Sequence, residues 1–157
     1  MDASTIEFTG RGSILIAAPI EAVFDLISDP GTRWDFITPL ESRRRPDSIP
    51  GSDRYELEIA GRILHYEMHI AALDRPGRLV MDVRGDVKGT QVFSLSESDG
   101  FTELALELTY EVKPYWPAYF LEEPTASLFS RTLVAQTLEE IRTVLEVELA
   151  LEPPLRR

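Results

Sequence analysis

Four residues with polar tips fall where an apolar side chain would be expected. Tyr55, Tyr66, Gln91 and Tyr110 each share a two-residue parity with aliphatic neighbours. A buried phenol or amide needs a hydrogen-bond partner, so each of these either bonds within the protein or orients one polar group of a ligand. Asp53 falls on the same parity near a strand start, and Arg62 does so near a hairpin end. A carboxylate held in an apolar pocket has its pKa raised and can act as a base near neutral pH, while a tyrosine can polarise a carbonyl. Asp53, Tyr66 and Tyr110 are therefore the candidates for acid–base chemistry. Against this, both charged residues adjoin turns, where snorkelling to water is the commoner outcome.

Other chemistries fit poorly. His65 and His69 lie four residues apart, about 13 Å along a strand, too far for one tetrahedral metal whose nitrogen ligands lie about 2 Å away. Both share the charged parity with Glu67, which also argues against a Ser-His-Asp system inside a pocket. No metal-ligand motif and no Gly-rich phosphate loop is present, so neither metal nor cofactor is expected. The chain has no cysteine, which excludes disulfides, thiolate catalysis and Cys-based zinc sites.

Composition narrows the partners. The 157 residues carry 43% hydrophobic and 27% charged residues, as in an ordinary soluble domain, and a single domain spanning 1–157 is the reading of that length. A net charge of −11 disfavours nucleic acid and anionic membrane surfaces, which need phosphate-neutralising cations. Arg43, Arg44 and Arg45 form the one basic cluster, either a solvated loop or a contact for an acidic ligand group. The first residues lack signal-peptide features, and the longest apolar run, Ile14 to Ile20, is far shorter than a membrane span. A cytoplasmic protein with no integral membrane segment, monomeric or weakly dimeric, is expected.

The elements that would position these residues begin with a strand. Ile6, Phe8, Ile14 and Ile16 share one parity, with Gly10 and Gly12 allowing a bend. Pro19 opens a helix in which Ile20, Val23, Phe24 and Ile27 form one face, and Asp29-Pro30 ends it. Residues 31–36, with Trp34, suggest a second short helix, and Thr38 to Arg45 is a strand or a loop.

The middle of the chain is a run of hairpins. A turn at Ala60-Gly61 sets Tyr55 against Tyr66, Leu57 against Leu64 and Glu56 against His65. Folding at Pro76-Gly77 sets Ile70 against Val83 and Ala72 against Met81. A type I′ turn at Asp99-Gly100 pairs Leu95 with Leu104, Phe93 with Leu106 and Gln91 with Leu108. At Gly85-Asp86 a two-residue turn would invert the faces, so a three-residue loop or a bulge must put Met81 opposite Gln91. The last strand alternates Leu104, Leu106, Leu108, Tyr110 and Val112 with glutamates. From Pro124 to Leu151 the stripe Val134, Leu138, Ile141, Leu145, Leu149 predicts one long amphipathic helix, whose natural partner is the inner face of a curved antiparallel sheet. Between strand and helix, Tyr115, Trp116, Tyr119 and Phe120 crowd one loop, either a satellite core or a lid on an apolar pocket.

The segment Ala17 to Pro30 followed by Trp34, with this order of elements, resembles the START-related superfamily of polyketide cyclases, lipid-transfer proteins and birch-allergen-type ligand binders. Its opening pattern "P-x-x-x-V-[WF]-x-x-[LI]-x-[DN]-[PF]" is matched from Pro19 to Pro30. The resemblance implies an α+β helix-grip fold. A curved seven-stranded antiparallel sheet would wrap around the long C-terminal helix, with two short helices between the first two strands. It also implies an apolar cavity lined by Tyr55, Tyr66, Met68, Met81, Gln91, Phe93 and Tyr110. Trp34 would stand near its entrance, and Phe129, Ser130, Leu133 and Thr137 on the helix side; Trp116 joins this set through the aromatic loop.

Three functions fit these residues. The leading expectation is binding or transport of an apolar small molecule (a lipid, polyketide, isoprenoid or quinone-like compound). The others are a cofactor-independent cyclase or dehydratase and a protein-interaction module.

Overall fold

The computed structural model describes residues 6–28, 42–44, 53–59, 62–86, 88–112 and 125–151. The elements are β1 (Ile6–Ile16), α1 (Ile20–Ser28), β2 (Ser42–Arg44), β3 (Asp53–Ile59), β4 (Arg62–Asp74), β5 (Arg78–Gly85), β6 (Lys88–Ser98), β7 (Phe101–Val112) and α2 (Thr125–Leu151). The strands form one antiparallel sheet in the order β1, β7, β6, β5, β4, β3, β2. Six strands are long. The seventh, β2, is a three-residue rung at the edge, so the expected seven-stranded sheet is six strands with a short border. The expected second short helix and Trp34 lie outside the described residues.

Parity decides which face is buried. Leu79, Met81 and Val83 of β5, Phe93 and Leu95 of β6, and Leu104, Leu106, Leu108 and Tyr110 of β7 are all buried. The β6–β7 register is the expected one, with Leu95 opposite Leu104 and Phe93 opposite Leu106. Its turn residues Asp99 and Gly100 have φ of 53° and 82°, the positive values a type I′ turn needs at both central positions. The β3–β4 register also follows expectation, Tyr55 opposite Tyr66 and Leu57 opposite Leu64. Met81 pairs with Gln91, as the irregularity foreseen after Gly85 requires.

One expectation is corrected. Ile70 pairs with Met81 rather than Val83, and Ala72 with Val80 rather than Met81, with the ladder slipping between Ile70 and Ala72. The turn closes as Asp74 opposite Arg78, which leaves three residues in the loop where Pro76-Gly77 suggested two. That extra residue alone would put the faces out of phase; the bulge at Ala71 restores them. The ladder of β1 with β7 runs unbroken from Ile6–Val112 to Ile16–Thr102. Within it Gly12 serves close approach. A Cβ there would lie 3.0 Å from Val134 Cγ1 and 3.7 Å from Leu138 Cδ1, so α2 crosses β1 at the residue without a side chain.

Helix α2 lies along β1 and reaches β7 and α1. Val134, Leu138, Ile141 and Leu145 are buried as the stripe requires. Ile20, Val23, Phe24 and Ile27 bury the whole apolar face of α1, each contributing about 1.5–3 kcal/mol. Polar contacts fix the corner between β1 and α1. Thr102 Oγ1 donates to the Ala18 carbonyl at 2.7 Å, and Glu97 accepts from the Ile20 N–H at 3.1 Å, satisfying one of the free donors at that helix start. Glu146 of α2 accepts from the Ala17 N–H at 3.2 Å. On the outside, Arg75 stacks 5.0 Å above the Phe24 ring and pairs with Asp25. Among the described residues no helix is long and apolar enough to cross a membrane.

Candidate functional site

Cross-strand rows locate the polar residues. One inner-face row runs Arg44, Tyr55, Tyr66, Gly85. The next runs Asp53, Met68, Val83, Gly89, Tyr110 and Phe8. The third runs Ile70, Met81, Gln91, Leu108, Gly10. Beyond it come Leu79, Phe93, Leu106, then Leu95, Leu104, Ile14. The inner face is thus polarised along the strands. One end is aliphatic and adjoins α1, and the other carries the tyrosines, the glutamine and the charged register positions. With Glu146 beside Ala17 and Val134 over Gly12, the N-terminal turns of α2 run on toward the polar end.

At that end the tyrosines act together. Tyr55 and Tyr66 stack with centroids 5.3 Å apart and planes 18° from parallel. Gln91 hydrogen-bonds Tyr110 through its side chain. Burial pushes the Tyr110 hydroxyl far above the ordinary phenol value; the Gln91 bond works against that push, and the Tyr66 phenol adds a smaller upward one. Three strand spacings, about 14 Å, separate β4 from β7, so Tyr66 acts on Tyr110 across the end of the β5–β6 hairpin. Glycines stand at both ends of that path, Gly85 opposite Tyr66 and Gly89 opposite Tyr110. A Cβ on Gly89 would lie 2.9 Å from Tyr110 Cδ1, so the ring rests over the bare backbone of β6.

Accessibility separates wall from surface. Tyr55, Met68, Met81 and Phe93 are 0–1% exposed, so they build the packed wall of the inner face. Tyr66, Ile70, Gly89 and Gln91 keep partial exposure on the same face, and Tyr110 keeps 8%. Leu133 is partly buried against the core, and Thr137 is buried. Asp53 holds its register position opposite Met68. Trp34 and Trp116 lie outside the described residues, as do the side chains of Asp53, Phe129 and Ser130.

The outer face carries the charges. His69 Nε2 lies 3.0 Å from Glu67 Oε1, and the His65 ring faces outward with Glu56 4.0 Å away. A groove of about 630 Å³ is lined by Arg54, Tyr55, His65, Tyr66, Glu67, Arg84, Gly85 and Asp86. It lies where β5 stops and the β3–β4 hairpin continues. Asp86 extends the ladder there by one rung, its N–H donating to the His65 carbonyl at 2.8 Å and its carboxylate accepting the His65 N–H at 2.9 Å. Sequence reasoning did not find this contact, nor those of Glu97, Thr102 and Glu146, because each joins residues distant in sequence. Among the described residues no group of His, Asp and Glu side chains could hold a metal ion.

No protein-family profile matches the chain, and no curated protein matches it in sequence. Solved structures do match in shape. A conserved protein from Geobacillus kaustophilus is 14% identical, with a TM-score of 0.73 over 90% of this chain and 97% of that one. The Zhui aromatase/cyclase from a Streptomyces species is 15% identical, with a TM-score of 0.66 over 92% and 96%. Ara h 8.0201 is 14% identical, with a TM-score of 0.60 over 90% and 99%. Identities this low speak for architecture alone. The chain has the helix-grip fold that the START-like resemblance implied, the architecture of the Zhui aromatase/cyclase and of Ara h 8.0201.

Proposed function

We propose that the protein binds an apolar small molecule (a lipid, polyketide, isoprenoid or quinone-like compound) between the polar end of the inner sheet face and the N-terminal turns of α2. The observation that carries this reading is Gln91. It sits on the buried parity, bonds Tyr110, and yet keeps accessible surface, where a core built only for stability would hold a sealed aliphatic residue. Burial of ligand apolar area supplies the affinity, and the Gln91–Tyr110 pair orients one carbonyl or hydroxyl of the guest. Tyr66 and Ile70 form the adjoining surface, and Leu133 packs against the core from the helix. Trp34, Trp116, Phe129 and Ser130 are further residues we propose to meet the guest. The protein works as a monomer or weak homodimer in the cytoplasm.

Native mass spectrometry of protein purified from cells tests the reading. A co-purifying apolar molecule, lost or weakened on Gln91→Leu, supports it. A clean apo spectrum together with no thermal shift across a lipid and polyketide panel refutes it.

A second reading, a cyclase or dehydratase, is favoured by one placement: Asp53 starts β3 opposite Met68, one cross-strand row from Tyr55 and Tyr66. In that case Asp53 is the base. Tyr110 stays protonated and only donates, because burial opposes its phenolate. Turnover of a polyketide substrate that is unchanged by both Asp53→Asn and Tyr66→Phe removes these residues from the mechanism.

A further inference from the structure

Tyr110 and Gln91 meet through one side-chain hydrogen bond, and its direction decides what the pair can offer a guest. The bond works against the upward push that burial gives the Tyr110 hydroxyl, so it favours the phenolate, as a bond donated to the phenol oxygen does. Gln91 therefore donates an amide N–H and the Tyr110 oxygen accepts it. A phenol has one proton of its own to give. The amide holds the oxygen that carries this proton and leaves the proton to be aimed elsewhere.

The surroundings hold the ring. Tyr110 is buried and rests over Gly89, where a Cβ would lie 2.9 Å from its Cδ1. Gln91 stands in the next cross-strand row, opposite Leu108 on one side and Met81 on the other, and keeps accessible surface. The Tyr66 phenol is close enough to act on the Tyr110 hydroxyl, so two phenols approach each other at this end of the face.

Charge is kept away from them. The described inner-face side chains of β4, β5 and β6 around this point are Tyr66, Met68, Ile70, Met81, Val83 and Gln91, all uncharged. Glu67, Arg84 and Lys88 of the same strands alternate onto the outer face. A guest carboxylate placed here would leave water and meet no cation among the described inner-face residues, in a chain whose net charge of −11 already repels it. A neutral carbonyl loses far less on leaving water and can accept a phenol proton.

We infer that the polar group recognised by this site is an uncharged carbonyl oxygen, received by the Tyr110 hydroxyl, that Gln91 positions that hydroxyl, and that a carboxylate in the same place is refused. The inference rests on the apolar-ligand reading and adds the chemistry of the guest's polar end.

Three compounds with one ring system separate the carbonyl site from the apolar site: 2-propionylnaphthalene, 2-propylnaphthalene and 2-naphthoate. Each is titrated against bound N-phenyl-1-naphthylamine, whose fluorescence falls as it is displaced. Tyr110→Phe keeps the ring and removes the donor, so it should weaken the ketone about tenfold relative to the propyl compound, the effect of leaving one buried carbonyl unpaired. Gln91→Leu should lower the same ratio by a smaller factor, because the proton remains and only its aim is lost. Arg11→Gln, whose arginine pairs with Glu107 on the outer face of β1, should leave it unchanged. Naphthoate should bind the native protein more weakly than the ketone. A ratio unchanged in Tyr110→Phe (or, should that variant not fold, in Gln91→Leu), a ratio that falls as far in Arg11→Gln, or naphthoate bound as tightly as the ketone overturns the carbonyl site, while binding of N-phenyl-1-naphthylamine keeps the apolar reading. Binding of neither that probe nor any of the three compounds overturns both.

Discussion

Replacing Gly89 by alanine tests how the site is built. A methyl at that position would intrude on the Thr109 carbonyl oxygen and lie 3.0 Å from its carbon and 2.9 Å from Tyr110 Cδ1. The first two atoms are backbone and cannot rotate aside, so β6 must lift from β7 around the Gly89–Tyr110 and Thr90–Thr109 rungs. Losing one or two ladder hydrogen bonds costs about 1 kcal/mol each. Displacing the Tyr110 ring forfeits part of the roughly 1.5–3 kcal/mol that burying a large side chain supplies. Alanine returns about 0.5–1 kcal/mol through lower chain entropy in the unfolded state. The net loss is about 2–3 kcal/mol, which for a chain of this size lowers Tm by about 4–12 °C. The control is Gly100→Ala, where no atom lies within 4 Å and only the φ of 82° is unfavourable, at a cost of about 1–2 kcal/mol. Thermal and urea unfolding of both variants measures the difference. A Gly89→Ala melt within about 2 °C of the native protein, or a larger loss in Gly100→Ala, would show that Tyr110 does not depend on the bare backbone of β6.

Two further predictions concern buried polar groups. Thr102→Val keeps the shape but removes the donor to the Ala18 carbonyl, leaving it unsatisfied beside the start of α1; urea unfolding should show a loss of about 1–3 kcal/mol, most of it recovered by Thr102→Ser. Tyr110 has a folded pKa raised above the ordinary value of 10.0, so the folded state holds its proton more firmly than the unfolded chain. Its contribution is fully present below that value and is lost as pH rises above it. Urea midpoints measured on either side of the ordinary phenol pKa should therefore fall more in the native protein than in Tyr110→Phe; equal falls would place the Tyr110 hydroxyl in contact with water.

Much of this architecture is legible in the sequence, and the reasons are local. Asp99-Gly100 encodes its turn because few residues accept positive φ twice in succession. The Tyr55–Tyr66 pairing follows once parity is required to agree across the Ala60-Gly61 turn. Pro76-Gly77 announces a turn without fixing its length, and the β4–β5 register also depends on the bulge at Ala71, which no local signal marks. Gly12 reads as a weak point in a strand when only the strand is considered. Its purpose lies in Val134 and Leu138, more than 120 residues away. At the site, the polar tips of Tyr66, Gln91 and Tyr110 on an apolar parity were visible in advance. That Tyr55, Met68, Met81 and Phe93 are sealed, while Gln91 is not, depends on packing that a one-dimensional pattern does not carry.

The most direct test of the central claim follows the side-chain amide of Gln91 by NMR while N-phenyl-1-naphthylamine is added. The Gln91 amide and the Tyr66 ring resonances should move together and saturate with the fluorescence titration. Shifts confined to outer-face residues such as Arg11, Ser13 and Glu107, with Gln91 unmoved, would contradict it.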